Sequence, residues 1–192
     1  LQRSRNVPAV ALTSLLKRPR FYEFLKRAEI QLPKEASHYG LTLALGGAEV
    51  SLEELVRLYA VLPNGGKLRP LVFEAETPAA PVKPILSPEA AFLTLTMIKD
   101  IPAPGLSRRL GTSANDPVYW KTGTSHGFRD AWAIAVFDDY VLGVWVGNFQ
   151  GKANASYIAR EATAPLLFDM IGAVRAAQPH KKPYFARPTG LN

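Results

Sequence analysis

The stretch DAWAIAVFDDYVLGVWVG, residues 130–147, constrains the fold more than any other part of the chain. Two apolar, β-branched and aromatic runs meet at Asp138-Asp139, a spacing that predicts an antiparallel hairpin with a tight turn. A strand with one wet face alternates polar and apolar residues, and these two hardly alternate. Both faces of their sheet must therefore be covered, and helices elsewhere in the chain are the expected covers. A third strand-like run, VYWKTGTS, precedes the hairpin. Strands are expected over 117–125, 130–138 and 140–148.

One cover follows directly. Leu167, Met170, Ile171 and Val174 recur at helical spacing and predict a helix over 165–176. Upstream, SLEELVRLYAVLPNGG pairs Ser51 with Glu54 as a capping box and ends in Pro63-Asn64-Gly65-Gly66. In SPEAAFLTLTMIKD, Ser87 is the N-cap and Pro88 the first helical residue. RPRFYEFLKRAEIQLP spaces Phe21, Phe24, Leu25 and Ala28 on one helical face, with Pro33 as the expected stop. YGLTLALGG ends in paired glycines and predicts a tight backbone passage. The proline-rich residues 67–86 and the segment 100–116 read as loop or short strands. Helices first, then a mostly antiparallel sheet, then a covering helix make an α+β pattern. The domain is expected to span 1–177. Residues 178–192, with Pro179, Pro183 and Pro188, read as a linker leaving it.

Composition narrows the chemistry. At 192 residues with 47% hydrophobic and 20% charged residues, the chain can build a sizeable core. It has no cysteine, which removes disulfides and thiolate chemistry. His38, His126 and His180 lie far apart, so no metal site is expected. The net charge of +7 draws on Arg3, Arg5, Lys17, Arg18, Arg20, Lys26 and Arg27 near the start, and on Lys181, Lys182 and Arg187 near the end. That charge favours anionic partners. It comes without interleaved aromatics, an RNP pattern or a helix-turn-helix signal, and nucleic acid is not expected as a partner. No run reaches the length of a membrane span. The chain opens at Leu1 without a methionine, so the lack of a visible signal peptide excludes no location.

KTGTSHG, residues 121–127, can be read in two ways. Gly123-Thr124-Ser125-His126-Gly127 fits the G-x-S-x-G elbow of α/β-hydrolases, with Asp138 or Asp169 and His180 as formal partners. That elbow needs a helix straight after the serine, and the sequence continues into strand-like residues. Lys121-Thr122-Gly123 fits the K-T-G element of penicillin-interacting enzymes, which lies on a strand. There the strand edge takes up an extended peptide, and Gly123 allows close approach to the backbone. Lys121 and the hydroxyls of Thr122 and Thr124 suit a carboxylate, and the Thr124 N–H suits a developing oxyanion. The plain alternative is a solvent-facing strand. Two companion patterns are weak, with roughly one chance match of each expected at average residue usage. S-x-N occurs at Ser4-Arg5-Asn6 and Ser113-Ala114-Asn115, and S-x-x-K at Ser14-Leu15-Leu16-Lys17.

SRNVPAVAL, GLTLALGGAEVSLEELVRLYAVLPNGG, LSPEAA and WKTGTSHGFRDAWAIAVF, in this order, resemble the transpeptidase domain of class A penicillin-binding proteins. The resemblance runs from Ser4 to about Gly172. It implies a DD-peptidase/β-lactamase-like fold and selects Ser4 and Asn6 as the S-x-N pair. Ser113 and Asn115 sit too close to the K-T-G strand to fill that role. Ser14 follows the S-x-N, whereas the family's nucleophile precedes it, so Ser14 reads as a decoy. The nucleophilic serine and its lysine are expected upstream of Leu1, with the first strands, a glycosyltransferase domain and the membrane anchor.

The implied function is D,D-transpeptidation in peptidoglycan synthesis, on the periplasmic side of the inner membrane. The ligands are stem peptides ending in D-Ala-D-Ala, and β-lactams. Ser4 would relay a proton, Asn6 would hold the substrate amide, and Lys121 with Thr122, Gly123 and Thr124 would hold the terminal carboxylate. No cofactor or metal is implied. Two alternatives stand beside it: a non-catalytic peptidoglycan-binding module of the same fold, and a hydrolase using Ser125.

Overall fold

The computed structural model describes residues 3–76, 78, 80–99, 117–178, 185 and 187–191. Its centre is an antiparallel sheet of β3 (Tyr119–Thr124), β4 (Asp130–Phe137) and β5 (Tyr140–Gly147), in that order. The register pairs Lys121 with Ile134 and Gly123 with Trp132, and then Trp132 with Trp145. Asp138 turns the hairpin with a φ of 46°, a left-handed conformation that aspartate tolerates better than most residues. The three strands and the turn lie where the apolar runs predicted them.

Both faces of the sheet are covered. On one, Trp120, Ala133, Ala135, Phe137 and Val144 pack with Leu167, Phe168 and Ile171 of α7 (Ala164–Ala177). Trp120 meets Phe168 edge-on at 5.1 Å, and each such buried ring contributes roughly 1.5–3 kcal/mol. On the other face, α4 (Leu52–Ala60) crosses the sheet at Gly143. A Cβ added at Gly143 would sit 2.6 Å from Val56 Cγ2 and 2.8 Å from Leu52 Cδ1, so only glycine admits the helix at this depth.

A second core gathers the N-terminal helices. α1 (Asn6–Leu15), α2 (Phe21–Arg27), α3 (Ala36–Tyr39) and a 3₁₀ turn over Gly40–Leu45 precede α4. Leu25, Ala28, Ile30, Tyr39, Leu43 and Val61 pack together here, with Leu68 and Ile85. The last two flank or belong to the two-residue strands β1 (Lys67–Leu68) and β2 (Lys83–Pro84). Gly66 at φ 85° brings its carbonyl to the N–H groups of Ile85 and Leu86. α4 is the seam: Leu58 faces the helical core, whereas Tyr59 faces the sheet core. α5 (Pro88–Ile98) packs beside β3 and buries Ala91, Leu95 and Ile98 at i, i+4 and i+7.

The capping box at Ser51 and Glu54 is formed, as is the Ser87 cap with Pro88 in the first turn. The paired glycines after GLTLAL close the 3₁₀ turn, with Gly46 left-handed at φ 87°. α2, however, stops at Arg27, six residues before Pro33. Glu29 turns left-handed at φ 64°, and its carboxylate is held by Arg57 at 2.6 Å and Lys83 at 3.7 Å. The stop itself is a backbone closure, with the Ile30 N–H bonded to the Leu25 carbonyl and the Glu29 N–H to the Lys26 carbonyl, made around a glutamate where glycine is usual. At the C-terminal end, Phe185 meets Tyr119 edge-on at 5.4 Å.

Candidate active site

β3 carries the K-T-G residues on an edge of the sheet. Lys99 bridges Tyr119 at its start. From Lys121 to Thr124 the outer edge has no ladder partner among the described residues. An exposed row of N–H and C=O groups of this kind can pair with an extended peptide. Strand alternation sends Lys121 and Gly123 to the α4 face, and Thr122 and Thr124 to the α7 face. The two sets meet only along that free edge.

Lys121 Nζ donates to Ser4 Oγ, across 117 residues of sequence, and to the Thr122 carbonyl at 2.6 Å. An ammonium has three donors, so one remains for an anion. Burial pushes the Lys121 amine below the usual lysine value. Ser4 is left-handed at φ 47°, which costs a non-glycine residue roughly 1–2 kcal/mol. Asn6 is the first residue of α1 and is exposed. Its side chain makes no hydrogen bond among the described residues.

The sign of the lysine shift yields a prediction. Between the lowered folded value and the ordinary one, the unfolded chain holds more protons than the folded chain, so this group adds stability as pH rises through that window. In urea unfolding between pH 8 and pH 10.5, wild type should gain stability relative to Lys121→Met, which lacks the titrating group. A constant difference across that range would show that the amine is not buried.

Gly123 has an ordinary negative φ, and a Cβ there would meet only Trp132 Cβ, at 4.0 Å. Nothing in the chain's own packing demands glycine at this position. At the end of the strand, Thr124 Oγ1 accepts the N–H of Ala159 at 3.0 Å. Ala159 opens the one-turn helix α6 (Ala159–Ala162), which packs on β3 and β4. This contact was not visible in the sequence, because a backbone N–H has no residue signature.

The competing serines are placed elsewhere. Ser125 is followed by a turn and β4 instead of a helix, and its Oγ accepts the Asp130 N–H at 2.8 Å. Asp138, one formal triad partner, is held by Arg175 at the far end of the hairpin. Ser14 donates to the Ala11 carbonyl at 2.7 Å inside its own helix, which ends at Leu15 before Lys17. Ser113, Asn115 and His180 lie outside the described residues. Among the described residues no three His, Asp or Glu side chains gather as a metal site, and no helix is long and apolar enough to cross a membrane.

A lysine from an edge strand bonded to a serine from a helical region, between two cores, is the arrangement of a penicillin-interacting peptidase fold. The family model for the penicillin-binding protein transpeptidase domain matches residues 1–166. The chain belongs to this family, as the transpeptidase domain of a class A penicillin-binding protein. It is 34% identical over 169 residues to penicillin-binding protein 1C of Escherichia coli K12, covering 87% of this chain and 21% of that protein. It is 25% identical over 194 residues to penicillin-binding protein 1A of Clostridium botulinum, covering 95% of this chain and 23% of that one. The crystal structure of penicillin-binding protein 1A from Haemophilus influenzae superposes with a TM-score of 0.74 at 20% identity, over 95% of this chain and 34% of the other. The chain therefore spans a minor part of each relative's length.

Proposed function

We propose that this chain supplies the carboxylate-binding and proton-relay half of a serine-type peptidoglycan D,D-transpeptidase. The nucleophilic serine and its lysine come from a segment of the parent protein outside these 192 residues. The carrying observation is the contact between Lys121 and Ser4 beside an open strand edge. A stem peptide pairs along β3, its terminal carboxylate drawn by the spare Lys121 donor and by the Thr122 and Thr124 hydroxyls. Gly123 keeps the strand low enough for the peptide backbone to approach, and Asn6 binds a substrate amide. After the external serine attacks the D-Ala-D-Ala amide, Ser4 passes a proton to the departing D-alanine. The acyl group then passes to an amine of a neighbouring stem.

This reading places the parent in the cell envelope, acting on the periplasmic side of the inner membrane with its anchor upstream. β-Lactams occupy the same edge. The test is D-alanine release and dimer formation from synthetic stem peptides by the parent protein. Lys121→Ala should lower kcat/KM by about 10²–10³-fold, the scale for loss of a preorganised electrostatic contact. An unchanged rate would remove Lys121 from the reaction. A parent that binds stem peptides but releases no D-alanine would establish the non-catalytic binding module instead.

A further inference from the structure

We propose that the backbone N–H of Ala159, presented by the loop over residues 148–158, fixes the Thr124 hydroxyl as a permanent proton donor to the ligand carboxylate. The inference rests on the transpeptidase reading and adds a positioning element to it, one remote in sequence from the K-T-G strand.

A threonine hydroxyl has one proton and two lone pairs, and in isolation it rotates freely among partners. Here the Ala159 N–H fills one lone pair of Thr124 Oγ1 at 3.0 Å. A hydroxyl proton turned toward Ala159 would meet another proton head-on, so that rotamer is closed. Among the described residues no acceptor takes the Thr124 proton. It is left to point into the open space beside β3, where the carboxylate binds. The donated N–H also polarises the hydroxyl, and chains of hydrogen bonds strengthen in this way.

The donor is held from both sides. Ala159 is buried, and its carbonyl accepts Thr163 Oγ1 at 2.6 Å and Thr163 N at 2.9 Å. The preceding loop is folded by two asparagine turns. Asn148 Oδ1 accepts Gln150 N at 2.7 Å, and Asn154 Oδ1 accepts Ser156 N at 2.9 Å. The loop is also stitched to the β3–β4 turn, where the Asn154 N–H donates to the Phe128 carbonyl at 3.0 Å. The loop and the strand end therefore move as one piece, and an ordering cost that a free hydroxyl would meet on binding is met on folding.

The test titrates the 192-residue chain with N-acetyl-D-alanyl-D-alanine and with its C-terminal amide, followed by amide NMR. Ala159→Pro deletes the N–H at a first helical position, where proline fits. Ile158 before it is already extended at φ −73°, ψ 110°, as a residue preceding proline must be. Ala159→Gly keeps the N–H. Thr124→Val and Ala159→Pro should each weaken the carboxylate ligand about tenfold, the scale of one charge-assisted hydrogen bond. The double variant should be no worse than either alone, because both remove the same donor. Ala159→Gly should bind like wild type, Thr124→Ser should restore most of what Thr124→Val loses, and the amide ligand, whose neutral carbonyl accepts a weaker bond, should be affected less than the carboxylate throughout.

Wild-type affinity in Ala159→Pro, or equal losses for both ligands, overturns the inference while leaving the transpeptidase reading intact. No binding by wild type overturns the inference, and together with no D-alanine release by the parent protein it overturns the transpeptidase reading as well. Should Ala159→Pro fail to fold, the Ala159 amide proton decides. It should move downfield when the carboxylate ligand binds wild type or Thr124→Ser, and stay still in Thr124→Val. Movement in Thr124→Val would overturn the coupling.

Discussion

Arg175→Ala is expected to lose about 3–5 kcal/mol of folding stability, the scale for removing one member of a buried ion pair. Arg175 sits in the last turn of α7 and grips Asp138 with two bonds, Nε to Oδ2 at 2.9 Å and Nη2 to Oδ1 at 3.0 Å. Its guanidinium also lies 5.6 Å from the centre of the Phe137 ring. Both side chains are about nine-tenths buried. Losing the arginine takes two hydrogen bonds from a buried carboxylate at the tip of the hairpin and unpins the helix covering one sheet face. Against a typical total of 5–15 kcal/mol, the loss is large. Arg175→Met combined with Asp138→Asn removes both charges, retains a side chain tolerant of positive φ, and should recover more than half of it. Urea unfolding measures both. A single-variant loss below about 1 kcal/mol would show the pair to be solvated like a surface bridge.

The second large effect is an all-or-none one. Incubated with a penicillin, this chain alone should show no covalent adduct by intact-protein mass spectrometry, whereas a chain extended upstream to include a serine–x–x–lysine segment should be acylated stoichiometrically. Acylation needs a nucleophile within reach of a base, and donors aimed at the attacked carbonyl. Ser4 is bonded to Lys121, and under the proposed function it relays a proton instead of attacking. Ser14 spends its hydroxyl on a carbonyl of its own helix, and Ser125 lies in a turn with Oγ bonded to a backbone N–H. Neither has a base beside it in the described contacts. An adduct on the short chain mapped to Ser14 or Ser125 would mean that the nucleophile had been misassigned. An adduct mapped to Ser4 would make the relay serine a nucleophile.

What could be read without coordinates follows from how local each cause is. The β4–β5 hairpin was legible because continuous apolar runs around Asp138-Asp139 leave few other structures possible. The caps at Ser51 and Ser87 were legible because a hydroxyl three residues from its partner is a local event. The juxtaposition of Ser4 with Lys121 followed from family resemblance, since no periodicity links residues so distant in the chain. α1 escaped a direct reading because Val7 and Leu15 are 80% and 73% exposed, so its apolar residues form no buried stripe. The early end of α2 was hidden because a glutamate, Glu29, holds the left-handed closing position where a glycine would have signalled it. The Ala159–Thr124 link was hidden for a chemical reason: every residue but proline carries an N–H.

Gly143 has a wider consequence than the fit of one helix. Ser4 leads into α1, which packs on the 3₁₀ turn, while Lys121 belongs to the sheet. α4, seated at Gly143, contributes to both cores. The gap between Lys121 and Ser4 therefore works as a vernier, registering how far the two cores have slid past one another. A methyl group at Gly143 would push α4 off the sheet, and the displacement is expected to reach the Lys121–Ser4 contact, which starts from the opposite edge strand.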